Sequence, residues 1–359
     1  MSATATVPPE QARELLVDLV SIPSPSGREG EAADRLAAFF EAHDREVYID
    51  EVGNVRAPAD DGVLLTSHVD TVPGDIPVEI EELGEDGEVL WGRGSVDATG
   101  PLAAMAAAAV RTGVTFVGVV REETDSGGAR FLVEDREAPG AVINGEPSGW
   151  DGITLGYRGL LSGTYVATSE SGHTSRPEPN AIQDAIGWWS RIEDEFRADD
   201  WDVVFEQVTA KPVGVDGGFT EDGLAVEATM DVQFRVPPDR GVEEVREVAD
   251  GLLSAGTVTW GEPIPPVMQS PRTGVARALR AAIRKEGGEP RLLRKTGTSD
   301  MNIYAEAWDC PMATYGPGDS DLDHAPDERL DLAAFDRAVA VLERVADDLA
   351  GGEGGDAGE

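Results

Sequence analysis

Acidic and histidine side chains stand at the ends of several apolar runs, where they could bind a metal ion. An unpaired buried carboxylate is costly and either binds a positive partner or takes up a proton. Two adjacent glutamates after the apolar run VTFVGVV therefore predict a positive neighbour at that point. Four segments carry such residues: SHVDTV with His68 and Asp70, SVDATG with Asp97, REETDSGG with Glu122 and Glu123, and NGEPSG with Glu146. Asp97 or Thr99 is also expected near the N-cap of the following helix, PLAAMAAAAVRT.

The elements around these segments predict that the side chains meet. Strands and helices alternate in this part of the chain, which predicts an α/β layer with a largely parallel sheet flanked by helices. The carboxyl ends of such strands face one crevice, where ligands bind. Five carboxylates and one histidine gathered there would repel one another without a cation. Histidine and carboxylates without cysteine suit zinc or a related divalent metal, and this many ligands suit two ions about 3.5–4 Å apart.

The alternating pattern changes near residue 158 and returns after residue 263. The intervening run has the order β-α-β-β-α-β, the split βαβ unit of ferredoxin-like α+β domains, with WDVVFEQVTA as one strand. We therefore expect a discontinuous catalytic metal-binding domain of residues 1–157 and 263–350, an inserted domain of residues 158–262, and a disordered acidic tail at 351–359.

The charge balance is strongly negative and is spread along the chain. Lysine and arginine number 29 against 69 acidic residues, for a net charge of −40, and only three of the basic residues are lysines. Nucleic acid is a poor partner, because phosphate binding requires clustered basic residues. The acidity fits either a site for basic partners or a surface solvated in a salt-rich cytoplasm, where screening removes self-repulsion. Dispersed acids and scarce lysine favour the second interpretation, a halophile.

Cysteine content and hydropathy indicate a cytoplasmic protein. Cys310 is the single cysteine, which excludes an internal disulfide and fits a reducing compartment. No run of about 18 uncharged apolar residues occurs, so no membrane span is expected. The first residues, MSATATVPPE, lack the basic and apolar segments of a secretory signal.

Motifs along nearly the whole chain resemble those of a known family. The run from LVSIPSPSGREGE through GRGSVDATGPLAAM and EETDSGG to HAPDERL is similar to the co-catalytic zinc amidohydrolases and peptidases. That family includes acetylornithine deacetylase, succinyl-diaminopimelate desuccinylase and carboxypeptidase G. INGEPSG, LGYRG, GHTSRPEPNAI and KTGTSDMN resemble most closely the members that release lysine or ornithine from a carrier protein. The resemblance implies two divalent ions, zinc or cobalt, and a homodimer formed through an inserted dimerisation or lid domain.

The same resemblance implies which residues bind the metals. One ion would be held by His68 and Glu146 and the other by Glu123 and His324, with Asp97 as the bridge. The chain departs from close relatives at Thr99, where they have a lysine two positions after the bridging aspartate. This substitution reflects either the general scarcity of lysine or an altered site.

Three further residues would do the chemistry according to the resemblance. Asp70 would orient His68 by accepting its second ring proton, a usual role beside a metal ligand. Glu122 would be the general base toward the attacking water and would return the proton to the leaving amine. His173, on the inserted domain, would stabilise the oxyanion across a dimer interface.

Substrate-binding candidates lie in two polar segments. Arg235 in FRVPP corresponds to a position that grips the substrate carboxylate in this family, although it could also pair with surface acids. Lys295 lies in the polar turn RKTGTSD, where a flexible point charge suits a substrate carboxylate or a carrier contact. The same turn adds Thr296 and Gly297 as candidates.

Three functions are compatible with these residues. The leading hypothesis is a metal-dependent amide hydrolase that releases lysine or ornithine from a γ-glutamyl link to a small acidic carrier protein, in lysine or arginine biosynthesis. The second is a deacylase of a small N-acyl amino acid, such as N-acetylornithine, N-acetyl-lysine or N-succinyl-diaminopimelate. The third is a non-catalytic metal-binding module, against which Glu122 argues, because a mere binder needs no base beside its ligands.

Overall fold

The computed structural model describes residues 7–83, 87–173, 175, 177–197 and 201–350, and these form two compact units. The predicted tail at 351–359 lies outside the described residues. Residues 294–298, which the sequence placed in the catalytic domain, group with the second unit. The roles expected for the two domains stay predictions. The first unit is Met1–Leu155, Gln269–Leu293 and Ser299–Glu359, and the second is Gly156–Met268 and Arg294–Thr298.

The helices and strands follow one another along both units. In chain order, the α-helices are α1 (Pro9–Val20), α2 (Gly30–Ala42), α3 (Thr99–Thr112), α4 (Gly127–Asp135), α5 (Ala181–Glu195), α6 (Val242–Gly251), α7 (Gly274–Lys285), α8 (Asp300–Ala307) and α9 (Leu332–Ala350). The strands are β1 (Tyr48–Ile49), β2 (Val55–Ala57), β3 (Asp60–His68), β4 (Glu79–Glu82), β5 (Glu88–Trp91), β6 (Val114–Val119), β7 (Val142–Gly145), β8 (Gly152–Tyr157), β9 (Gly159–Glu170), β10 (Thr209–Phe219), β11 (Ala225–Val236), β12 (Thr257–Trp260), β13 (Val267–Met268), β14 (Arg291–Lys295), β15 (Met312–Thr314) and β16 (Arg329–Asp331).

The main sheet of the first unit has a parallel centre. Its strands run in the order β1-β2-β6-β3-β7-β15-β8, and the pairs β6–β3, β3–β7 and β7–β15 are parallel. Strands β2 and β8 join this centre antiparallel. The last six residues of β3 are all buried, as expected for a strand covered on both faces. The predicted α/β layer is therefore confirmed, with antiparallel strands outside its parallel centre.

Helix α3 occupies the core of the first unit because its side chains are small. Twelve residues of this alanine-rich helix are buried, and it packs against α1, α9 and β3. The helix ends at Gly113, whose left-handed φ of 72° suits a glycine. The N-cap is Ala98, so Asp97 and Thr99 lie on either side of the cap, but no side chain caps the helix. Asp97 instead turns its carboxylate toward two histidines.

The second unit has the predicted order β-α-β-β-α-β. Its sheet runs β10-β11-β9-β12, and α5 packs on β9 and β11 around the stacked rings of Tyr165 and Trp188. The strand expected over WDVVFEQVTA is wrong, because Trp201–Glu206 is a 3₁₀ helix and strand β10 begins only at Thr209. The guanidinium of Arg158 donates hydrogen bonds to the backbone carbonyls of Val204 and Gln207. In a strand, these carbonyls would instead accept N–H groups of a neighbouring strand. Among the described residues, no helix is both long and apolar enough to cross a membrane.

Candidate metal centre

Three neighbouring strands deliver the candidate ligands to one edge of the sheet. His68 is the last residue of β3. The turn with Glu122 and Glu123 follows β6, and Glu146 follows β7. Because β6, β3 and β7 are adjacent and parallel, their carboxyl ends meet, as the sequence predicted.

Asp97 lies between two imidazoles and offers one oxygen to each. Its Oδ1 is 3.3 Å from Nε2 of His68, and its Oδ2 is 3.1 Å from Nε2 of His324. The same His324 nitrogen is 3.1 Å from Oε2 of Glu123. Ligand atoms of His68, Asp97 and Glu123 all lie within 4.8 Å of one another. A carboxylate placed this way fits the bridging position between two metal ions.

The charges of this cluster favour bound cations. Burial lowers the pKa of His68, but the hydrogen bond with Asp97 and the charges of Glu122 and Glu146 raise it well above its ordinary value. Hydrogen bonds with Asp97 and Glu123 raise the pKa of His324 to about 10. The surrounding carboxylates thus favour the protonated form of both imidazoles, and divalent ions would compete for the same nitrogens and oxygens. This donor set fits zinc or a related metal.

The adjacent glutamates stand in different surroundings. The carboxylate of Glu123 faces His324. Burial and the charge of Glu146 raise the pKa of Glu122 well above its ordinary value. Glu146 itself is buried and also acts on His68 through its charge. Glu122 therefore holds a proton more strongly than an ordinary glutamate, whereas Glu123 faces an imidazole.

Asp70 connects His68 to the turn that carries the glutamates. The ring Nδ1 of His68 meets the backbone carbonyl of Asp70 at 2.8 Å, whereas the Asp70 carboxylate is 3.6 Å away. That carboxylate accepts the backbone N–H groups of Glu122 at 3.0 Å and of Glu123 at 3.1 Å. It also accepts the hydroxyl of Ser26 at 2.6 Å. Asp70 therefore fixes the glutamate turn, a role that sequence reasoning did not include.

The substrate-binding candidates lie in the second unit. Arg235 is half-buried, and its Nη1 donates to Thr298 Oγ1 at 3.3 Å. Lys295 ends strand β14, and Gly297 has open space where a side chain would stand. The backbone carbonyl of Thr296 accepts Nε of Arg158 at 3.0 Å.

Two further residues of the second unit, Arg158 and His173, have the following surroundings. Sequence reasoning missed Arg158, although the motif LGYRG contains it. Burial and the charge of Arg235 lower the pKa of Arg158 to about 10. His173 is exposed, and its Nδ1 is 2.8 Å from Ser175 Oγ. The roles of His173 and of the substrate-binding candidates stay predictions.

Known proteins share both the sequence and the fold of this chain. Residues 64–348 match the sequence model of peptidase family M20/M25/M40. A LysW-lysine hydrolase from Deinococcus radiodurans is 40% identical over 374 residues, covering 97% of this chain and 100% of the relative. A LysW-lysine/LysW-ornithine hydrolase from Sulfurisphaera tokodaii is 31% identical over 328 residues, covering 89% of this chain and 90% of the relative. A Bacillus subtilis dinuclear metal-binding peptidase of the M20 family has a TM-score of 0.66 at 16% identity, covering 94% of this chain and 97% of its own.

Proposed function

Since this chain belongs to peptidase family M20/M25/M40, we propose that it hydrolyses the amide bond that links lysine or ornithine to the C-terminal glutamate of a small acidic carrier protein. The observation that carries the hydrolase assignment is Asp97, whose two oxygens face two different imidazoles. The substrate assignment is supported by similarity over nearly the full chain to relatives named for LysW-lysine and LysW-ornithine. The enzyme would then act in lysine or arginine biosynthesis.

Two divalent ions, zinc or cobalt, are proposed as cofactors. When bound, they would polarise the amide carbonyl and make the attacking water more acidic. Asp97 suits the bridging position because each of its oxygens already faces a different side of the cluster. The proposed ligands are His68 and Glu146 for one ion, Glu123 and His324 for the other, and Asp97 for both.

Glu122 is proposed as the general base. It would take a proton from the attacking water and return that proton to the nitrogen of the leaving lysine or ornithine. Burial and the charge of Glu146 raise its pKa, and the resulting higher affinity for a proton suits a carboxyl that takes up a proton and then returns it. Its neighbour Glu123 faces His324 instead, so the two adjacent carboxylates have separate tasks.

Residues of the second unit are proposed to bind the substrate. Arg235 would bind a substrate carboxylate, since its guanidinium is half-buried and pairs with no carboxylate in the described part of the chain. Lys295, Thr296 and Gly297 would contact the substrate or the carrier, and Gly297 leaves room for a close approach. His173 would stabilise the oxyanion, for which its exposure leaves the ring accessible.

We also propose that the protein is a homodimer formed through the second unit. Strand β10 is an edge of its sheet, and it exposes Val213, Val215 and Phe219 by 58%, 75% and 67%. Exposed apolar side chains on an edge strand invite pairing with another chain. Light scattering coupled to size-exclusion chromatography should give a dimer mass for the wild type and a monomer mass for Val215→Glu. A wild-type monomer at micromolar concentration would contradict the proposal.

One experiment separates the three candidate functions. Purified protein is incubated with carrier-linked lysine, carrier-linked ornithine and N-acetyl-lysine, and the released amino acid is measured. Release from the carrier substrates supports the proposal, whereas release from N-acetyl-lysine alone would make the protein a small-molecule deacylase. Treatment with EDTA should abolish release, and added zinc or cobalt should restore it. Metal uptake without release from any substrate would indicate a binding module.

A further inference from the structure

Glu328 is a buried carboxylate that the proposed chemistry does not use. The residue is only 1% exposed and directly precedes strand β16. Its Oε1 accepts the backbone N–H groups of Val96 at 2.9 Å and of Asp97 at 3.1 Å. Its Oε2 accepts the N–H of Gly94 at 3.1 Å and Nη1 of Arg93 at 2.8 Å. All four contacts belong to the loop that leads from β5 to α3.

Within this loop, Ser95 donates its N–H to Gly92 and Thr99 donates its N–H to Gly94. The N–H groups of Gly94, Val96 and Asp97 are instead accepted by Glu328, which lies outside the loop. Gly92 and Gly94 adopt positive φ angles of 155° and 80°, so the loop departs from strand geometry before α3 begins. The N-cap Ala98 has no side chain that could accept the free N–H groups of the helix start. Glu328 accepts the N–H groups of Val96 and Asp97, just before this N-cap, and leaves the carboxylate of Asp97 available to the imidazoles.

The segment that carries Glu328 also carries a proposed metal ligand. His324 lies four residues earlier, at a left-handed φ of 60°. Strand β16 pairs antiparallel with β5, with Arg329 opposite Trp91. One short segment therefore supplies an imidazole to the centre and also anchors the backbone of Asp97, the residue that this imidazole contacts.

We propose that Glu328 is a positioning residue that holds Asp97 in register with His324 and so sets the affinity of the metal centre. This inference rests on the proposed metal-dependent function. Without the Glu328 carboxylate, the loop would lose three backbone contacts and one arginine contact at once. Asp97 would then no longer be fixed between the two imidazoles. The ion held by Glu123 and His324 should suffer more, since His324 belongs to the same segment.

The test measures metal binding rather than activity alone. Metal-free wild type, Glu328→Gln and Glu328→Asp are titrated with zinc, and the bound equivalents are determined at each free zinc concentration. In Glu328→Gln, the side-chain NH₂ group would face backbone N–H donors and could not accept from them. In Glu328→Asp, the shorter side chain could not reach all four donors that Glu328 serves as acceptor. Glu343→Gln is the matched control, because Glu343 is also buried and pairs with Arg111 on α3. Thermal unfolding of each metal-free variant is recorded alongside.

The wild type should bind two equivalents of zinc. Glu328→Gln should bind the more weakly held equivalent at least about tenfold less tightly than the wild type does, a loss that is typical when a residue that positions a metal ligand is removed. Glu343→Gln should keep wild-type affinity even where it lowers the unfolding temperature as much. Wild-type affinity in a folded Glu328→Gln protein would overturn the inference. If that variant does not fold, Glu328→Asp decides by the same criterion. A wild type that takes up no metal would instead overturn the proposed function.

Discussion

At the scale of single residues, the two adjacent glutamates Glu122 and Glu123 stand in different surroundings. Glu123 contacts His324, whereas Glu122 is subject to the charge of Glu146. The turn begins at Arg121, which has a left-handed φ of 66°, and both glutamate N–H groups are tied to one aspartate. A sequence pattern can show that two acids follow a strand, but the direction of each side chain depends on this turn.

Replacing Glu122 should separate the proposed proton transfer from metal binding. Glu122→Gln keeps the size of the side chain but removes the proton acceptor, so turnover should fall by about 10²–10⁴-fold with metal content unchanged. Glu123→Gln is the control, since it should lose metal along with activity. The measurements are metal content by mass spectrometry and kcat on carrier-linked lysine. A Glu122→Gln enzyme with undiminished kcat would show that another group is the base.

Cys310 gives a pH-dependent prediction away from the metal centre. Burial and the charge of Asp309 raise the pKa of its thiol from 9.0 to about 11. Since the thiolate is the reactive form, iodoacetamide should modify the folded protein about a hundredfold more slowly at pH 8 than the urea-unfolded chain. A raised thiol pKa also contributes stability that is present below pH 9 and lost as the pH rises toward 11. Equal rates for folded and unfolded protein would contradict this.

At the scale of elements, helix α4 approaches strand β6 so closely that only glycine fits at the contact. Gly128 donates its N–H to the carbonyl of Val120 at 2.9 Å. A methyl group on Gly128 would lie 2.5 Å from the nitrogen and 2.6 Å from the oxygen of Val120. Asn54 braces both residues, accepting from Val120 and donating to Gly128. This packing sets where the glutamate turn leaves the sheet.

Gly128→Ala should therefore destabilise the protein and disturb the site. Because the clash is with backbone atoms, which cannot turn aside, we expect a loss of about 1–3 kcal/mol in the free energy of unfolding. Gly274→Ala is the matched control, since Gly274 also lies in the first turn of a helix but has open space around it. Urea unfolding of the metal-free proteins measures both. A Gly128→Ala protein as stable as the control would show that the helix can shift without penalty.

Local periodicity predicted the elements, but it did not predict how distant segments support the site. The strands before His68, Glu122 and Glu146 follow directly from the apolar runs that precede these residues. Their meeting point followed from the rule for parallel strand ends.

Contacts between distant residues account for what the sequence did not predict. Glu328 accepts hydrogen bonds from N–H groups more than 230 positions away in the chain. The sequence around Glu328 does not show which distant donors need an acceptor. The 3₁₀ helix at Trp201–Glu206 was missed for a similar reason, because the distant Arg158 donates a hydrogen bond to the carbonyl of Val204 in this helix. The sequence did offer one signal for Glu328, because this residue lies in the motif HAPDERL, four positions after His324.

At the scale of the whole molecule, acids greatly outnumber the bases that could neutralise them. With 69 acidic and 29 basic residues, most carboxylates have no basic partner available. Several arginines are accordingly shared between two acids. Arg13 pairs with Glu88 and Asp336, and Arg56 pairs with Asp50 and Asp135. The remaining negative charge repels itself, which disfavours the compact state in dilute buffer.

We expect added salt to stabilise the protein, because screening weakens this self-repulsion. Salt shortens the Debye length from about 10 Å at 0.1 M to about 3 Å at 1 M, so the repulsion fades as salt is added. The unfolding temperature should rise steadily with potassium chloride. Sucrose at matched osmolality is the control, since it stabilises folded proteins without screening charge. Greatest stability without added salt would contradict a halophilic origin of the acidity.

The same net charge should affect how strongly the enzyme binds its proposed carrier substrate. A carrier that is itself acidic is repelled by a protein with a net charge of −40, and repulsion between like-charged partners weakens as salt screens it. KM for carrier-linked lysine should therefore fall by about tenfold or more between 0.1 and 2 M potassium chloride. The dipeptide γ-glutamyl-lysine is the control, because it presents the same bond without the carrier's charge and its KM should change little. A KM for the carrier substrate that rises with salt would mean that opposite charges draw the two proteins together, at a basic surface strong enough to outweigh the surrounding acids.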